Sequence, residues 1–341
     1  MLNHRAKLIA ATAVAAGAML LTACQGDDTG AAGTAGASTA APGGHGHTGA
    51  PAADVIGKYD PVDRSGAVFF ASVLNGANEV PTQGGPAVGD KDGHAIALMR
   101  VQGDEVSFAF TWKGIGTPTA GHIHQGGAGT NGDVKIPFFT EKLPGGRDSV
   151  YGTVKVTDAA LLKSLTSDPG QFYFNLHTAE FPGGAVRGQV HQLPLPMNLP
   201  EAFQGNSLHS VVTGAQIYAC TKQPGGDWKF TQDNVKATLD GNIAHSFQKS
   251  GPTGPPQWIA PDHSAVTGKV LRKIPNGDGN IPELVLAATQ SGTPGGEFSA
   301  TKLVLRLNTR GGVAPTGTCD PTTHPQASVP YTADYLFLGA K

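Results

Sequence analysis

Charge is scarce in this sequence. Charged residues make up 15% of its 341 positions, against roughly 25% in an ordinary soluble chain. The 24 basic and 26 acidic residues nearly cancel. That balance argues against a nucleic-acid partner, because phosphate binding needs a surplus of Lys and Arg. No sustained apolar heptad occurs, which excludes a coiled coil. No apolar run is long enough to cross a bilayer as a permanent helix. A Gly-Lys-Ser/Thr phosphate loop, a His-Glu-x-x-His pair and a nucleophile elbow are also missing, so no complete catalytic set is present. What is abundant is glycine and proline, 48 and 25 residues. Both break helices, while strand-like apolar runs recur from Val68 to the end. The chain reads as all-β, long enough for two cores.

The first residues carry an address. His4, Arg5 and Lys7 precede the apolar run Leu8 to Leu20, which has the length of a signal-peptide core. Leu21-Thr22-Ala23-Cys24 resembles the bacterial lipobox. The resemblance implies removal of residues 1–23, a diacylglycerol on the Cys24 thiol and anchorage to membrane lipid at the extracytoplasmic face. Residues 24–65, with stretches such as Thr29-Gly30-Ala31-Ala32-Gly33, have no apolar periodicity and read as a disordered tether. His45 and His47 in it read as solvated linker residues. The chain has three cysteines. With Cys24 acylated, Cys220 and Cys319 are left to pair in an oxidising compartment, or to remain two separate thiols.

Residues 66–193 read as a first domain of short strands: 68–74, 94–101, 106–112, 134–139, 150–156, 172–177 and 186–191. Asn75-Gly76, Asn131-Gly132 and Pro182-Gly183-Gly184 supply turns. One short helix is expected from Ala159 to Leu165, capped by Thr157 or Asp158 and ended by Asp168-Pro169-Gly170. This spacing predicts an antiparallel sandwich or barrel.

Leu74-Asn75-Gly76-Ala77-Asn78-Glu79-Val80-Pro81 resembles the opening motif of the CHRD (chordin-type) domain. Ala120-Gly121-His122-Ile123-His124-Gln125-Gly126 with Gly129 to Gly132 is similar to its central motif. Phe174-Asn175-Leu176-His177-Thr178 and Pro182 to Gln189 are similar to its closing ones. The resemblance implies an all-β extracellular module with no established reaction.

His122 and His124 lie two apart, so a strand would point both imidazoles to one face. With His177 as a third ligand, they would suit copper or zinc. The order His-x-His, strand His, Gly-Gly-x-x-Arg also resembles copper–zinc superoxide dismutase. That resemblance makes Arg187 an anion-guiding charge. It departs from that family in lacking a bridging histidine and an intradomain disulfide. The alternative is a structural network, in which the histidines donate to loop carbonyls, Asn175 caps a turn and Arg187 pairs with Glu79.

Leu193 to Pro200 is Pro-spaced, and residues 194–200 read as a stiff connector. Residues 201–341 then form a second β domain, with strand pieces at Gly214 to Cys220, Asp227 to Phe230, Ile281 to Ala288, Leu303 to Asn308 and Tyr331 to Leu338. Gly214 to Cys220, Asn308 to Pro315, Cys319-Asp320 and Val329 to Tyr335 resemble a bacterial domain family with no assigned function. That resemblance favours the Cys220–Cys319 pairing. Asp262-His263-Ser264 is adjacent in sequence and reads as a chance set, since a triad is assembled in space. His245, Asp262, His263 and Trp258 read as solvent-facing loop residues rather than a pocket lining. Taken together, the sequence predicts two tandem antiparallel β-sandwich or barrel-like domains on a lipid-anchored tether. The expected role is a non-catalytic binding or structural module meeting an envelope protein or glycan. The alternative role is a copper- or zinc-binding module.

Overall fold

In the computed structural model, residues 65–339 are described. The lipobox with Cys24, and the tether with His45 and His47, lie outside the described residues. Among the described residues no helix is long and apolar enough to cross a membrane.

The first domain has nine strands: β1 (Val68–Asn75), β2 (His94–Gln102), β3 (Glu105–Lys113), β4 (Pro118–Gln125), β5 (Val134–Phe139), β6 (Ser149–Lys155), β7 (Phe172–Thr178), β8 (Val186–Gln189) and β9 (His191–Leu193). They form one antiparallel sheet in the order β5-β4-β7-β8-β1-β2-β3-β6, with β9 added on β1. Three connections join strands that are not neighbours in this order, β3 to β4, β5 to β6 and β6 to β7, as in Greek-key layouts. The sheet curls round one core. Phe138 of β5 and Val150 and Val154 of β6, from opposite ends of the strand order, share it with Phe108, Phe110 and Phe174. The rings of Phe108 and Phe138 lie 4.5 Å apart, and those of Phe110 and Phe174 meet edge to face at 5.8 Å. Each such ring, fully buried, contributes about 1.5–3 kcal/mol. The helix α1 (Ala159–Ser167) forms where expected. Asp158 caps it, its carboxylate accepting from Leu161 N at 2.9 Å, and it buries Leu162 and Leu165.

The second domain is a closed barrel of eight antiparallel strands, each paired with its sequence neighbours, the last closing on the first. They are β10 (Asn206–Lys222), β11 (Trp228–Leu239), β12 (Ile243–Phe247), β13 (Pro256–Ile259), β14 (Ala265–Ile274), β15 (Glu283–Gln290), β16 (Thr301–Gly311) and β17 (Gln326–Gly339). Cys220 and Cys319 are disulfide-bonded, with Cα atoms 5.8 Å apart. The bond fastens the loop before β17 to the end of β10.

Two features depart from the expected layout. A short helix α2 (Leu199–Gln204) starts inside the stiff connector, and Met197, Leu199 and Ala202 are buried. They join a third apolar core between the domains. Phe69, Ala71 and Val73 of β1, Ile96 and Leu98 of β2 and Ala109 of β3 pack there with Val285 of β15, Leu303, Leu305 and Leu307 of β16 and Leu336 and Leu338 of β17. Both domains therefore bury the outer face of a sheet as well as its inner face. Polar bonds frame this seam: Asn78 Nδ2 donates to Asn308 Oδ1 at 2.8 Å, and Asn308 Nδ2 donates to Asp334 Oδ2 at 2.8 Å.

Candidate metal centre

Strands β4 and β7 pair antiparallel with Ala120 opposite His177, His122 opposite Asn175 and His124 opposite Tyr173. Opposed residues share a face of the sheet, so one face carries His177, His122 and His124 side by side. The alternate residues Ile123, Phe174 and Leu176 point the other way, into the first core. The histidines thus sit on the outside of the curled sheet, yet they are only 1%, 2% and 8% exposed for His122, His124 and His177. Loops cover them. Gly132 is essential to that cover, because a Cβ there would lie 1.6 Å from the carbonyl oxygen of Gln125.

One ligand atom from each of the three rings lies within 4.8 Å of the others, the one such group of His, Cys or carboxylate side chains among the described residues. Atoms so placed fit within about 2.8 Å of a common point; inward shifts of about 0.7 Å would bring them to the 2.0–2.1 Å of a zinc–imidazole bond. The proton positions also suit a metal. His124 Nδ1 lies 3.0 Å from the carbonyl oxygen of Gly132, and His177 Nδ1 lies 3.0 Å from that of Pro182. A carbonyl only accepts, so both rings carry a proton on Nδ1, and in the neutral imidazole Nε2 is then the ligand atom. Backbone carbonyls hold metal-binding histidines in the same way. The expected alternative, donation to loop carbonyls, is therefore present too, and it orients the imidazoles rather than excluding a ligand role.

The surroundings are ordered by a stack. The Tyr173 ring lies parallel to His124 at 4.8 Å, and the Arg187 guanidinium carbon sits 3.5 Å from the Tyr173 centroid. Arg187 is 1% exposed. It donates to the carbonyls of Gly127 and Thr130 at 2.9 and 2.8 Å, and to Asn131 Oδ1 at 3.1 Å. Its donors hold the loop that covers the histidines, so the guanidinium that the dismutase resemblance makes an anion guide is engaged here by loop carbonyls. Arg187 does not make the expected ion pair with Glu79. The Glu79 carboxylate accepts from Asn175 Nδ2 at 3.4 Å. Burial pushes its pKa up to about 8, against the opposing pull of the Arg187 charge and the Asn175 bond. Asn175 is thus a partner of Glu79 rather than a turn cap. A small pocket of about 40 Å³ beside His124 and Asn175 is lined also by Thr82 and Asn131, room for a water or a similarly small ligand.

Elsewhere the expected residues separate. Asp262 Oδ1 accepts from the Ser264 amide and hydroxyl at 2.8 and 2.6 Å. His263 is exposed beside them with φ of 67°, so the three form a turn and no triad. His245 and Trp258 are not loop residues. They are buried in the second barrel and stacked at 4.5 Å, which corrects the solvent-facing expectation. The sequence reading also missed a cleft of about 620 Å³ between the domains, bordered by Asn78, Glu79, Gln189, Asn276, Asn280 and Arg310. Its walls come from distant segments, so no local motif marks it.

Comparison with known families adds the assignment. Residues 70–190 match the CHRD domain model. That stretch carries a CHRD domain. Residues 202–339 match the family described as Protein of unknown function (DUF3455). No curated protein and no solved structure matches the chain. All three histidines, Asn175 and Arg187 fall inside the CHRD domain, and both disulfide cysteines fall inside the second match.

Proposed function

We propose that this chain is a non-catalytic module of the cell envelope, lipid-anchored through Cys24, whose CHRD domain holds a single copper or zinc ion on His122, His124 and His177. The observation that carries the metal reading is the convergence of three buried imidazoles, two of them with Nδ1 held on backbone carbonyls. Three neutral nitrogens without thiolate or carboxylate suit copper and zinc. A bound ion would supply a Lewis-acidic centre with a fourth position for a small ligand. Around it, Gly132 and Pro182 orient the rings, Tyr173 and Arg187 brace the covering loop, and the first core fixes the strands beneath.

Elemental analysis of the chain purified without a His tag tests this. Near-stoichiometric copper or zinc is expected, lost in His122→Ala and His177→Ala while circular dichroism stays unchanged. Absence of metal after incubation with either ion would reduce the histidines to sheet architecture.

The interdomain cleft favours a second reading, in which the module also grips an envelope glycan or protein segment. Its volume is in the range of ligand sites, and domain junctions are where such sites cluster. Anchorage is checked separately: Cys24→Ser should move the chain from the membrane fraction to the soluble one.

A further inference from the structure

The interior of the second barrel plays no part in the metal reading, and its chemistry is one-sided. Strand alternation decides what enters it. Arg306 of β16 lies opposite Leu284 of β15 and Tyr335 of β17; both belong to the barrel's inner core, so Arg306 points inward with them. Gln216 of β10 lies opposite Val235, another inner residue. Trp258 of β13 is inside as well. The nearby acids point the other way. Glu283 bonds to His191 of the first domain, and Asp334 bonds to Asn75 and Asn308. Among the described residues no ion pair includes Arg306.

Donors outnumber acceptors in this space. One Arg306 nitrogen, Nη2, donates to the Pro282 carbonyl at 2.7 Å. Arg306 Nε, Gln216 Nε2 and Trp258 Nε1 are each buried without a hydrogen-bond partner. Buried N–H groups without an acceptor are rare in folded proteins. The acceptors at hand are few: the Tyr331 and Tyr335 hydroxyls bond each other at 3.2 Å and also serve Gln216 and Arg306, and the Gln216 carbonyl accepts from Gln232. Burial pushes the two tyrosines up and holds His245 down near 3, so these neighbours stay neutral around the guanidinium. A guanidinium turned into an apolar core with no carboxylate beside it calls for a counter-charge.

We propose that the barrel interior binds one small anion, anchored by Arg306 and met by the Gln216 and Trp258 N–H groups. Eight-stranded barrels have interiors that hold side chains or one small ligand. Here Trp258, Phe298, Tyr335 and Phe337 fill much of the space, which limits the occupant to an anion of a few atoms. Arg306 keeps partial exposure, which gives the anion a way in.

Thermal unfolding of the full chain in increasing sodium nitrate and sodium chloride tests the site. A saturating rise of about 3–5 °C is expected with at least one salt. Lys302→Met, at the exposed start of the same strand, should keep it. Arg306→Met should abolish it, and Arg306→Lys should shift half-saturation upward several-fold. If Arg306→Met does not fold, Gln216→Met and Arg306→Lys carry the same comparison. A non-saturating response, or an equal one in the Arg306 and Gln216 variants, would mean that water alone meets these donors and would overturn the proposal.

Discussion

His191 Nε2 lies 3.3 Å from Glu283 Oε2 across the boundary between the two domains, with both side chains less than a tenth exposed. Burial holds His191 below its ordinary pKa against the pull of Glu283. The other Glu283 oxygen, Oε1, accepts from the Asn308 amide at 2.6 Å. One carboxylate therefore satisfies a histidine of the first domain and a strained backbone position, since Asn308 has φ of 52°.

Removing that carboxylate leaves buried donors behind. Glu283→Ala is expected to cost about 2–4 kcal/mol in urea unfolding, as for other buried pairs broken on one side. Glu283→Gln keeps an acceptor for Asn308 and should cost clearly less. Equal stability of wild type and Glu283→Ala would show that the pair contributes nothing.

The apolar seam makes a second expectation. Leu305 is fully buried within it, so Leu305→Ala should cost about 2–5 kcal/mol. More telling is the shape of the transition. With the seam intact, both domains should unfold in one step; Leu305→Asp should split it into two. Two separate transitions in the wild type would mean that the seam does not couple them.

The same seam explains what the sequence did and did not disclose. Val68 to Leu74 has few polar positions because Phe70 and Leu74 enter the CHRD core while Phe69, Ala71 and Val73 enter the seam. Such a run signals burial on both faces, but it does not name the second layer. Leu303 to Leu307 behaves alike, with Val304 inside the barrel and the leucines outside. In the first domain, strands with strong apolar patterns were legible within a residue or two, whereas β10, β11, β16 and β17 of the second run several residues beyond the expected pieces. Strands β12 to β14 were not legible. Their inner faces carry His245, Trp258 and Gly268, and prolines interrupt the run before β13, so neither period nor composition marked them. The histidine face was legible because His-x-His needs only strand alternation. The part played by Arg187 was not, since a guanidinium bound by loop carbonyls and one bound by an anion look identical in sequence.

Two buried groups set opposite pH limits on the metal-free protein. Glu79 holds its proton up to about 8 when folded, against an ordinary 4.5. Between those values only the unfolded chain is ionised, so stability should fall as pH rises, by about 1.4 kcal/mol per unit. His245 is held near 3 against an ordinary 6.5. Between those values only the unfolded chain takes up the proton, so stability should fall as pH falls. The two slopes oppose each other between 4.5 and 6.5, where a plateau is expected. Urea unfolding across pH checks this: Glu79→Gln should flatten the limb above the plateau, and His245→Gln the limb below it. An unchanged limb in either variant would reject that group as its source.

Arg187 supplies the sharpest separation between support and ligation. Its donors hold the loop at Gly127, Thr130 and Asn131, and the same loop places the Gly132 carbonyl on His124. Lysine keeps the charge but not the planar fork, so it can neither lie flat on Tyr173 nor reach three acceptors at once. Arg187→Lys should therefore weaken copper or zinc binding about 10–100-fold, the usual effect of losing an outer partner of a metal ligand. The stoichiometry should stay at one ion per chain, whereas His122→Ala should remove the ion altogether. Competition titration against a chelator of known affinity reads both. If Arg187→Lys binds metal as tightly as the wild type, the loop does not position His124, and the tyrosine stack is packing alone.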